Sequence, residues 1–350
     1  NDLTEGTVET GVDLERLASW MDEQSLGSGP IENAVRLAGG TQNILLKFDR
    51  AGRTYILRRP PLSLRANSNE TMRREARALA AIAGSDVPHP GLIAACGDEE
   101  VIGAAFYLME PVDGYAPSQG MPEPFASSPE LRHQMGLSLV DGIAALGALD
   151  YKAVGLDGFG KPDNYLERQV SRWKSQLKSY ADFRGWDGRK DLPGVNRIGD
   201  WLEANRPDTF QPGIIHGDYH LGNVMYRFDR PDLAAIVDWE LTTIGDPLLD
   251  LGWLMATWPD EADTSDDGTV AVQPWEGFPT AHELVAHYAS QSDRDLSAID
   301  WYGVLACYKL GIILEGTYAR ACAGKAPKDI GDNLHERTIW LLERALRWIS

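Results

Sequence analysis

Three oxygen-bearing side chains stand close together in the sequence between residues 214 and 250, namely Asp218, Asn223 and Asp238. Residues 223–228 and 233–238 have the composition of two strands, and residues 229–232 between them are typical of a turn. Asn223 and Asp238 are equally distant from the centre of that turn, so a hairpin places both side chains at its open end. Asp218 enters the same end from a loop. This set supplies oxygen ligands for Mg²⁺ and leaves one carboxylate as a base.

The charge balance of the chain argues against two classes of function. The 350 residues include 52 acidic and 33 basic side chains, which gives a formal net charge of −19. A nucleic-acid-binding protein needs a basic face, and attraction to an anionic membrane needs basic residues as well. The sequence therefore predicts neither a nucleic acid nor a membrane as a partner, and it favours a neutral or cationic small molecule.

Cysteine content and hydropathy indicate the compartment. The three cysteines, Cys96, Cys307 and Cys322, have no spacing typical of a disulfide framework or a structural zinc site. No apolar run approaches 18 residues, and the first residues lack the pattern of a signal peptide. The expectation is a cytoplasmic protein. The sequence gives no indication of its oligomeric state.

Hydrophobic periodicity divides the chain into a strand-rich part and a helix-rich part. Up to Met109 it predicts five strands and a helix over 70–83, preceded by a helix over 12–22. Beyond 129 it predicts mostly helices, over 129–149, 164–183, 199–205, 281–291, 297–323 and 333–349. The expected fold is α+β and bilobal, with residues 1–110 as a small β-rich N-lobe, 111–117 as a hinge and 118–350 as a mostly helical C-lobe.

The order of the polar residues resembles the catalytic segments of the protein-kinase-like fold. His216-Gly-Asp218-Tyr-His220-Leu-Gly-Asn223 and Ile236-Val-Asp238-Trp-Glu240 are similar to motifs of the aminoglycoside phosphotransferase and choline kinase family. The segment from Ile244 to Gly252 resembles that family's next helix, whose aspartate steadies the catalytic loop. The segment Tyr55-Ile-Leu-Arg58-Arg59-Pro60-Pro61 resembles a segment of the kinase-like domain that is fused to some acyl-CoA dehydrogenases.

This resemblance implies a role for each polar residue of the segment. Asp218 is expected to act as the catalytic residue by accepting or orienting the proton of the acceptor hydroxyl. Asn223 and Asp238 are expected to hold Mg²⁺ on the phosphates of ATP. His220 is expected either to face the γ-phosphate or to pack as a neutral ring, and both interpretations stay open.

The small lobe supplies the other expected nucleotide contacts. The glycine-containing segment between two strands is placed like a loop that covers phosphates, because glycine lets the backbone approach anionic oxygens. Arg58 takes the place of the strand lysine of kinases and is expected to pair with a helix glutamate. Residues 109–112 are expected to meet the adenine. The cofactor-binding candidates are Gly39, Gly40, Thr41, Asn43, Arg58, Glu75, Glu110, Val112 and His220.

The function expected from these residues is transfer of the γ-phosphate of ATP to a hydroxyl of a small molecule, with ATP and Mg²⁺ as cofactors. The acceptor is expected to be aminoglycoside-like or another small hydroxylated compound, and a hydroxyacyl or other metabolic acceptor is an alternative. A pseudokinase that only binds nucleotide is a second alternative. A metallohydrolase that uses His216, Asp218 and His220 is a distant one.

One acidic stretch bears on the acceptor. Residues 251–300 carry ten acidic side chains and one basic one, Arg294. Residues 260–267 are simplest to interpret as a solvated loop, but an acidic wall of the acceptor pocket would favour a cationic acceptor. Four tryptophans nearby, Trp239, Trp253, Trp258 and Trp275, are expected either to form an apolar pocket or to belong to the core.

Overall fold

The computed structural model describes residues 9–38, 42–260 and 271–350. It divides the chain into two compact units. The first unit runs to Gly114 and also takes in Ala234–Thr242. The second unit consists of Tyr115–Leu233 and Thr243–Ser350. The candidates Gly39, Gly40 and Thr41, and the acidic residues 261–267, lie outside the described residues.

An antiparallel sheet of five strands forms the first unit, in the order β1-β2-β3-β5-β4. Helices accompany it in the described part of the unit. Their bounds are α1 Leu14–Glu23, β1 Glu32–Arg36, β2 Ile44–Arg50, β3 Arg53–Arg59, α2 Ser68–Ile82, β4 Leu92–Cys96 and β5 Phe106–Met109. The strands and helices predicted for this part of the sequence are all present, with ends that differ by a few residues.

Alternation along β2 explains why the sheet has a buried face. Leu46 and Phe48 are fully buried, whereas Lys47 between them is exposed. They belong to a hydrophobic cluster to which α1 contributes Leu17, Trp20 and Met21. Side chains of a strand alternate between two faces, so one face of β2 lies in this cluster.

The second unit is mostly helical. Its elements are α3 Pro129–Ala148, α4 Gln169–Ser179, α5 Val195–Ala204, β6 Gly213–Ile215, β7 Val224–Tyr226, the start of β8 Leu233–Ile236, β9 Thr243–Gly245, α6 Leu248–Thr257, α7 Ala281–Gln291, α8 Ile299–Cys322 and α9 Lys328–Trp348. Helix α8 packs against α4, α5, α6 and α9. All ten residues of α6 are buried. No helix among the described residues has the length and apolarity needed to cross a membrane.

Short strands and turns carry the polar segment through this helical unit. β6 pairs antiparallel with β9, so the loop that follows β6 starts from a fixed position. A short 3₁₀ turn, Leu221–Asn223, leads from that loop into β7. The N–H of Arg227 donates to the carbonyl of Asp232 at 3.0 Å and closes the predicted turn.

Candidate functional site

The loop from His216 to Asn223 is tied down at its start by the carboxylate of Asp250. The N–H groups of His216 and Gly217 donate to Asp250 Oδ2 and Oδ1 at 2.7 and 3.0 Å. Asp250 lies on the buried helix α6, and burial raises the pKa of its carboxyl group. Gly217 has a φ of +94°, a conformation that glycine adopts without steric cost. The helix that the resemblance implies is thus present, and its Asp250 contacts the loop that carries Asp218.

Hydrogen-bond donors and two histidines surround the carboxylate of Asp218. Trp253 Nε1–H donates to Asp218 Oδ1 at 3.0 Å, and Asn223 Nδ2–H donates to Oδ2 at 3.2 Å. His220 Nε2 lies 3.4 Å from Oδ1. Burial opposes ionisation, but His220, His216 and the Trp253 N–H outweigh it and hold the pKa of Asp218 below its usual value. Asp218 is therefore ionised near neutral pH.

Asn223 and His220 have orientations that bear on their expected roles. The amide nitrogen of Asn223 also donates to the carbonyl of Asp218 at 2.9 Å. Within the described part of the chain, Asn223 Oδ1 has no hydrogen-bond donor, which suits a cation ligand. His220 Nδ1 accepts the N–H of Gly222 at 3.0 Å. The other ring nitrogen, Nε2, faces Asp218.

Asp238 belongs to the first unit, where it lies beside a buried ion pair. Arg58 donates to Glu75 through Nε and Nη2 at 3.2 and 3.0 Å, and Nη2 also lies 3.1 Å from Asp238 Oδ1. Arg58 comes from β3 and Glu75 from α2, as expected from the sequence. Asp238 has a φ of +64°, an uncommon conformation for a residue with a side chain.

Carboxylates outnumber cations in this cluster. Glu75, Asp238 and Glu240 each offer an oxygen within 4.8 Å of the others, with the Arg58 guanidinium between the first two. Burial, together with the charges of Glu240 and Asp238, raises the pKa of Glu75 to about 7 despite Arg58. Burial disfavours the charged form of Arg58, but Glu75 and Asp238 raise its pKa above the usual value. The carboxylates thus add to the effect of burial on Glu75 and outweigh burial at Arg58, and their surplus of negative charge fits a divalent cation.

The remaining cofactor-binding candidates fall in the first unit. Asn43 is half-buried and directly precedes β2. The N–H of Glu110 donates to the carbonyl of Gly91 at 2.8 Å, and its side chain pairs with Arg53 at 3.2 Å. That amide is therefore already used. The N–H of Val112 has no acceptor among the described residues, so it is the better of the two candidates for an adenine contact.

The metallohydrolase alternative gains no support from the geometry. Among the described residues, the one group of three carboxylate, histidine or cysteine side chains close enough for a metal is Glu75, Asp238 and Glu240. It contains neither His216 nor His220. His216 is fully buried, and its Nδ1 accepts the N–H of Asp218 at 3.2 Å.

Sequence reasoning missed three side chains of these two sites. Glu240 joins the carboxylate cluster, and its position two residues after Asp238 was a signal for it. Trp253 was expected only as pocket or core, but its indole N–H contacts Asp218. Lys309 lies on α8 with its Nζ 5.3 Å from the ring centroid of Trp253, and nothing in the local sequence marks it. The other three tryptophans do not form one group. Trp258 packs against Trp275, whereas Trp239 belongs to the first unit.

Comparison with known proteins places the chain in a family. Residues 33–283 match the phosphotransferase enzyme family. Acyl-CoA dehydrogenase family member 11 of Pongo abelii is 29% identical over 93% of this chain, and this chain covers 41% of that protein. The chain thus spans about two fifths of the length of such relatives.

Solved structures agree with this result. A putative aminoglycoside phosphotransferase from Ralstonia eutropha is 29% identical with a TM-score of 0.79, over 96% of this chain and 99% of that one. An aminoglycoside phosphotransferase in ternary complex with AMP-PNP and hygromycin B has a TM-score of 0.57 at 14% identity, over 93% and 97% of the two chains, and shows the fold. The protein-kinase-like α+β fold expected from the sequence is confirmed, and the chain belongs to the phosphotransferase enzyme family.

Proposed function

We propose that the protein transfers the γ-phosphate of ATP to a hydroxyl group of a small molecule, with Asp218 as the catalytic residue. The observation that carries this proposal is the carboxylate of Asp218, which is held ionised by hydrogen bonds on a loop anchored to Asp250. Such a carboxylate accepts the proton of an attacking hydroxyl. Membership of the phosphotransferase enzyme family supports the reaction class.

The residues present also suit Mg²⁺. Asp238 is the proposed ligand in the first unit, and Asn223 Oδ1 is the proposed ligand in the second. When bound, Mg²⁺ neutralises charge on the phosphate oxygens, which is the larger part of catalysis in phosphoryl transfer. Arg58 Nη1 makes no hydrogen bond to a described residue and is proposed to contact a phosphate, although Nε and Nη2 are held by carboxylates.

The acceptor is proposed to be a small hydroxylated compound. An aminoglycoside-like acceptor is consistent with the solved structures, one of which contains hygromycin B. A hydroxyacyl acceptor is the second candidate, because the curated relatives are named acyl-CoA dehydrogenases. An assay of ADP release over a panel that contains both classes, together with their unhydroxylated analogues, tests the proposal.

Asp218→Asn removes the proposed base and keeps the shape of the side chain. We expect turnover to fall by about 10²–10⁴-fold, because that is the usual contribution of a general base. ATP affinity measured by titration calorimetry should stay within about twofold, because Asp218 is proposed to act on the acceptor hydroxyl and not on the nucleotide. A tenfold loss of affinity would correspond to about 1.4 kcal/mol. Asp208→Asn, at an exposed position of the same unit, is the matched control. Wild-type turnover in Asp218→Asn would show that another group acts as the base.

Asp238→Asn removes one proposed ligand charge from the carboxylate cluster. We expect ATP to bind wild-type protein more tightly with Mg²⁺ than without it, and the variant to lose that difference. Calorimetric titrations with Mg²⁺ and with EDTA measure both values. Asp232→Asn, beyond the cluster in the turn before β8, is the control. A variant that keeps the full Mg²⁺ effect contradicts the assignment of Asp238 as a ligand.

A further inference from the structure

A half-buried lysine on α8 lies between two tryptophan rings of the second unit. Lys309 Nζ is 5.3 Å from the ring centroid of Trp173 on α4 and 5.3 Å from that of Trp253 on α6. Both tryptophans are buried, and Lys309 keeps part of its surface exposed. Two ring faces at this distance attract an ammonium group and hold it at one place.

This ammonium group has no anionic partner within the described part of the chain. No carboxylate oxygen lies within 4.0 Å of Lys309 Nζ among those residues, and no hydrogen bond ends there. Asp250 and Asp218 act on it at longer range, and their oxygens accept hydrogen bonds from the loop after β6 and from Trp253. Burial lowers the pKa of Lys309 to about 8, and the charge of Arg172 acts in the same direction. The amine is still mostly protonated at pH 7.

One indole ring separates this cation from the proposed base. The face of Trp253 lies against Lys309, and the Nε1–H of the same ring donates to Asp218 Oδ1. If the acceptor hydroxyl is bound at Asp218, a second group of the acceptor, a few bonds from that hydroxyl, lies within reach of Lys309. A cationic group at that place would be repelled by Lys309 and by Arg172, whose guanidinium lies 5.1 Å from the Trp173 ring.

We propose that Lys309 binds an oxyanion, a carboxylate or a phosphate, of the acceptor, while Trp173 and Trp253 contact an apolar part of the same molecule. This inference rests on the proposed function, because it assigns the class of acceptor for that site. It predicts an anionic hydroxylated acceptor and disfavours an aminoglycoside.

Carbon-13 NMR of the reductively dimethylated protein tests the oxyanion site without ATP or turnover. The chain has nine lysines, so the dimethylammonium signals are few, and Lys309→Arg assigns the one in question. Inorganic phosphate and 3-hydroxybutyrate are titrated separately at constant ionic strength. We expect either or both to shift the Lys309 signal saturably, and the one that shifts it at lower concentration identifies the class of oxyanion.

Lys152 is the internal control, because it is an exposed lysine near a single ring, 5.9 Å from the centroid of Tyr151. If the Lys309 signal moves no more than that of Lys152 with either anion, the oxyanion site does not exist. If kanamycin moves it saturably and the anions do not, the proposal is overturned in favour of a cationic acceptor.

Turnover with paired acceptors supplies the second arm. Hydroxycarboxylic acids are compared with their methyl esters in the ADP-release assay. We expect Lys309→Met to raise KM for the acid by at least about tenfold with little change in kcat, because it removes a charge-assisted contact. KM for the ester should be unchanged in Lys309→Met. Lys309→Arg should restore a KM for the acid close to the wild-type value, and Lys152→Met should behave as wild type.

The two arms separate the two proposals. A saturable shift of Lys309 without Asp218-dependent turnover of any acceptor counts against phosphoryl transfer and leaves the oxyanion site in place. Asp218-dependent turnover of acid and ester with equal KM in wild type and Lys309→Met leaves the kinase function in place and overturns the role of Lys309.

Discussion

The carboxylate cluster of the first unit and the loop from His216 to Asn223 in the second stabilise their acidic groups in opposite ways. Glu75 and Asp238 share one buried guanidinium, and burial, together with the charges of Glu240 and Asp238, raises the pKa of Glu75 to about 7. Burial opposes the ionisation of Asp218, but His220, His216 and the N–H of Trp253 lower its pKa. The first arrangement suits the binding of a further cation, and the second suits a carboxylate that must stay ionised and oriented. Charge pairing and hydrogen bonding thus serve two different tasks.

The largest expected effect comes from breaking the ion pair. Arg58→Met leaves Glu75 and Asp238 without their cation, and we expect the free energy of unfolding at pH 8 to fall by about 3–5 kcal/mol. The loss should be smaller at pH 5.5, because Glu75 then takes up a proton. The stability of Arg58→Lys should lie between that of wild type and that of Arg58→Met, since lysine keeps the charge but lacks the forked pair of donors of the guanidinium.

Denaturant unfolding at both pH values measures this, with the exposed Arg65→Met as the control. Equal losses in Arg58→Met and Arg65→Met would mean that the cluster does not depend on its guanidinium.

A smaller effect distinguishes the two regions by the sign of their pH dependence. The folded-state pKa of Glu75, about 7, exceeds the usual 4.5, so the folded chain binds the extra proton between these values. Its contribution to stability therefore falls as the pH rises through that window, by the order of 1–3 kcal/mol. Asp218 contributes in the opposite direction, because its lowered pKa gives stability that is present above the usual 3.8 and is lost as the pH falls through the folded value.

Glu75→Gln removes the first of these contributions and should flatten the loss of stability between pH 5 and pH 7. Glu70→Gln, on the same helix and exposed, should keep the wild-type slope. Unfolding free energies across that range supply the comparison, and an unchanged slope in Glu75→Gln would assign the titration to another group.

The smallest effect concerns the hydrogen bond from Trp253. Trp253→Phe keeps a ring beside Lys309 and removes the N–H that Asp218 accepts. We expect the pKa of Asp218 to rise, so that the acidic limb of the pH–rate profile moves up by about one unit or less. Trp301→Phe is matched to it, because that indole donates to the carbonyl of Leu202 at 2.8 Å, away from Asp218. Identical shifts in both variants would exclude a specific role for Trp253.

Much of the fold was predictable, because its elements follow from local periodicity. Helices over 129–149 and 281–291 were expected, and the structure has Pro129–Ala148 and Ala281–Gln291. The predicted helix over 164–183 is shorter, Gln169–Ser179, because the segment before it forms turns in which Arg168 binds the carbonyls of Lys161 and Asn164. The β6–β9 pair was not predicted, since strands of three residues are too short to carry a pattern.

The predicted site residues remain predictions in their roles, although the structure provides contacts that suit several of them. The lobe boundaries at 110 and 117 also stay predictions. Arg58 and Glu75 pair as expected, whereas the competition of Asp238 for the same guanidinium had no signal in the sequence. Glu110 was expected to meet adenine through its backbone, but its N–H is bound to Gly91.

The sequence by itself determined most of the elements and the order of Asp218, Asn223 and Asp238, because periodicity and motif spacing are local properties of the chain. Only the tertiary structure decided which groups surround them. Trp253 contacts Asp218 from a helix 35 residues away along the chain, and Lys309, 91 residues away, lies against the ring of Trp253. The protonation of Glu75 and Asp218 likewise depends on burial and on neighbours brought together by packing, and pKa values follow distance in space.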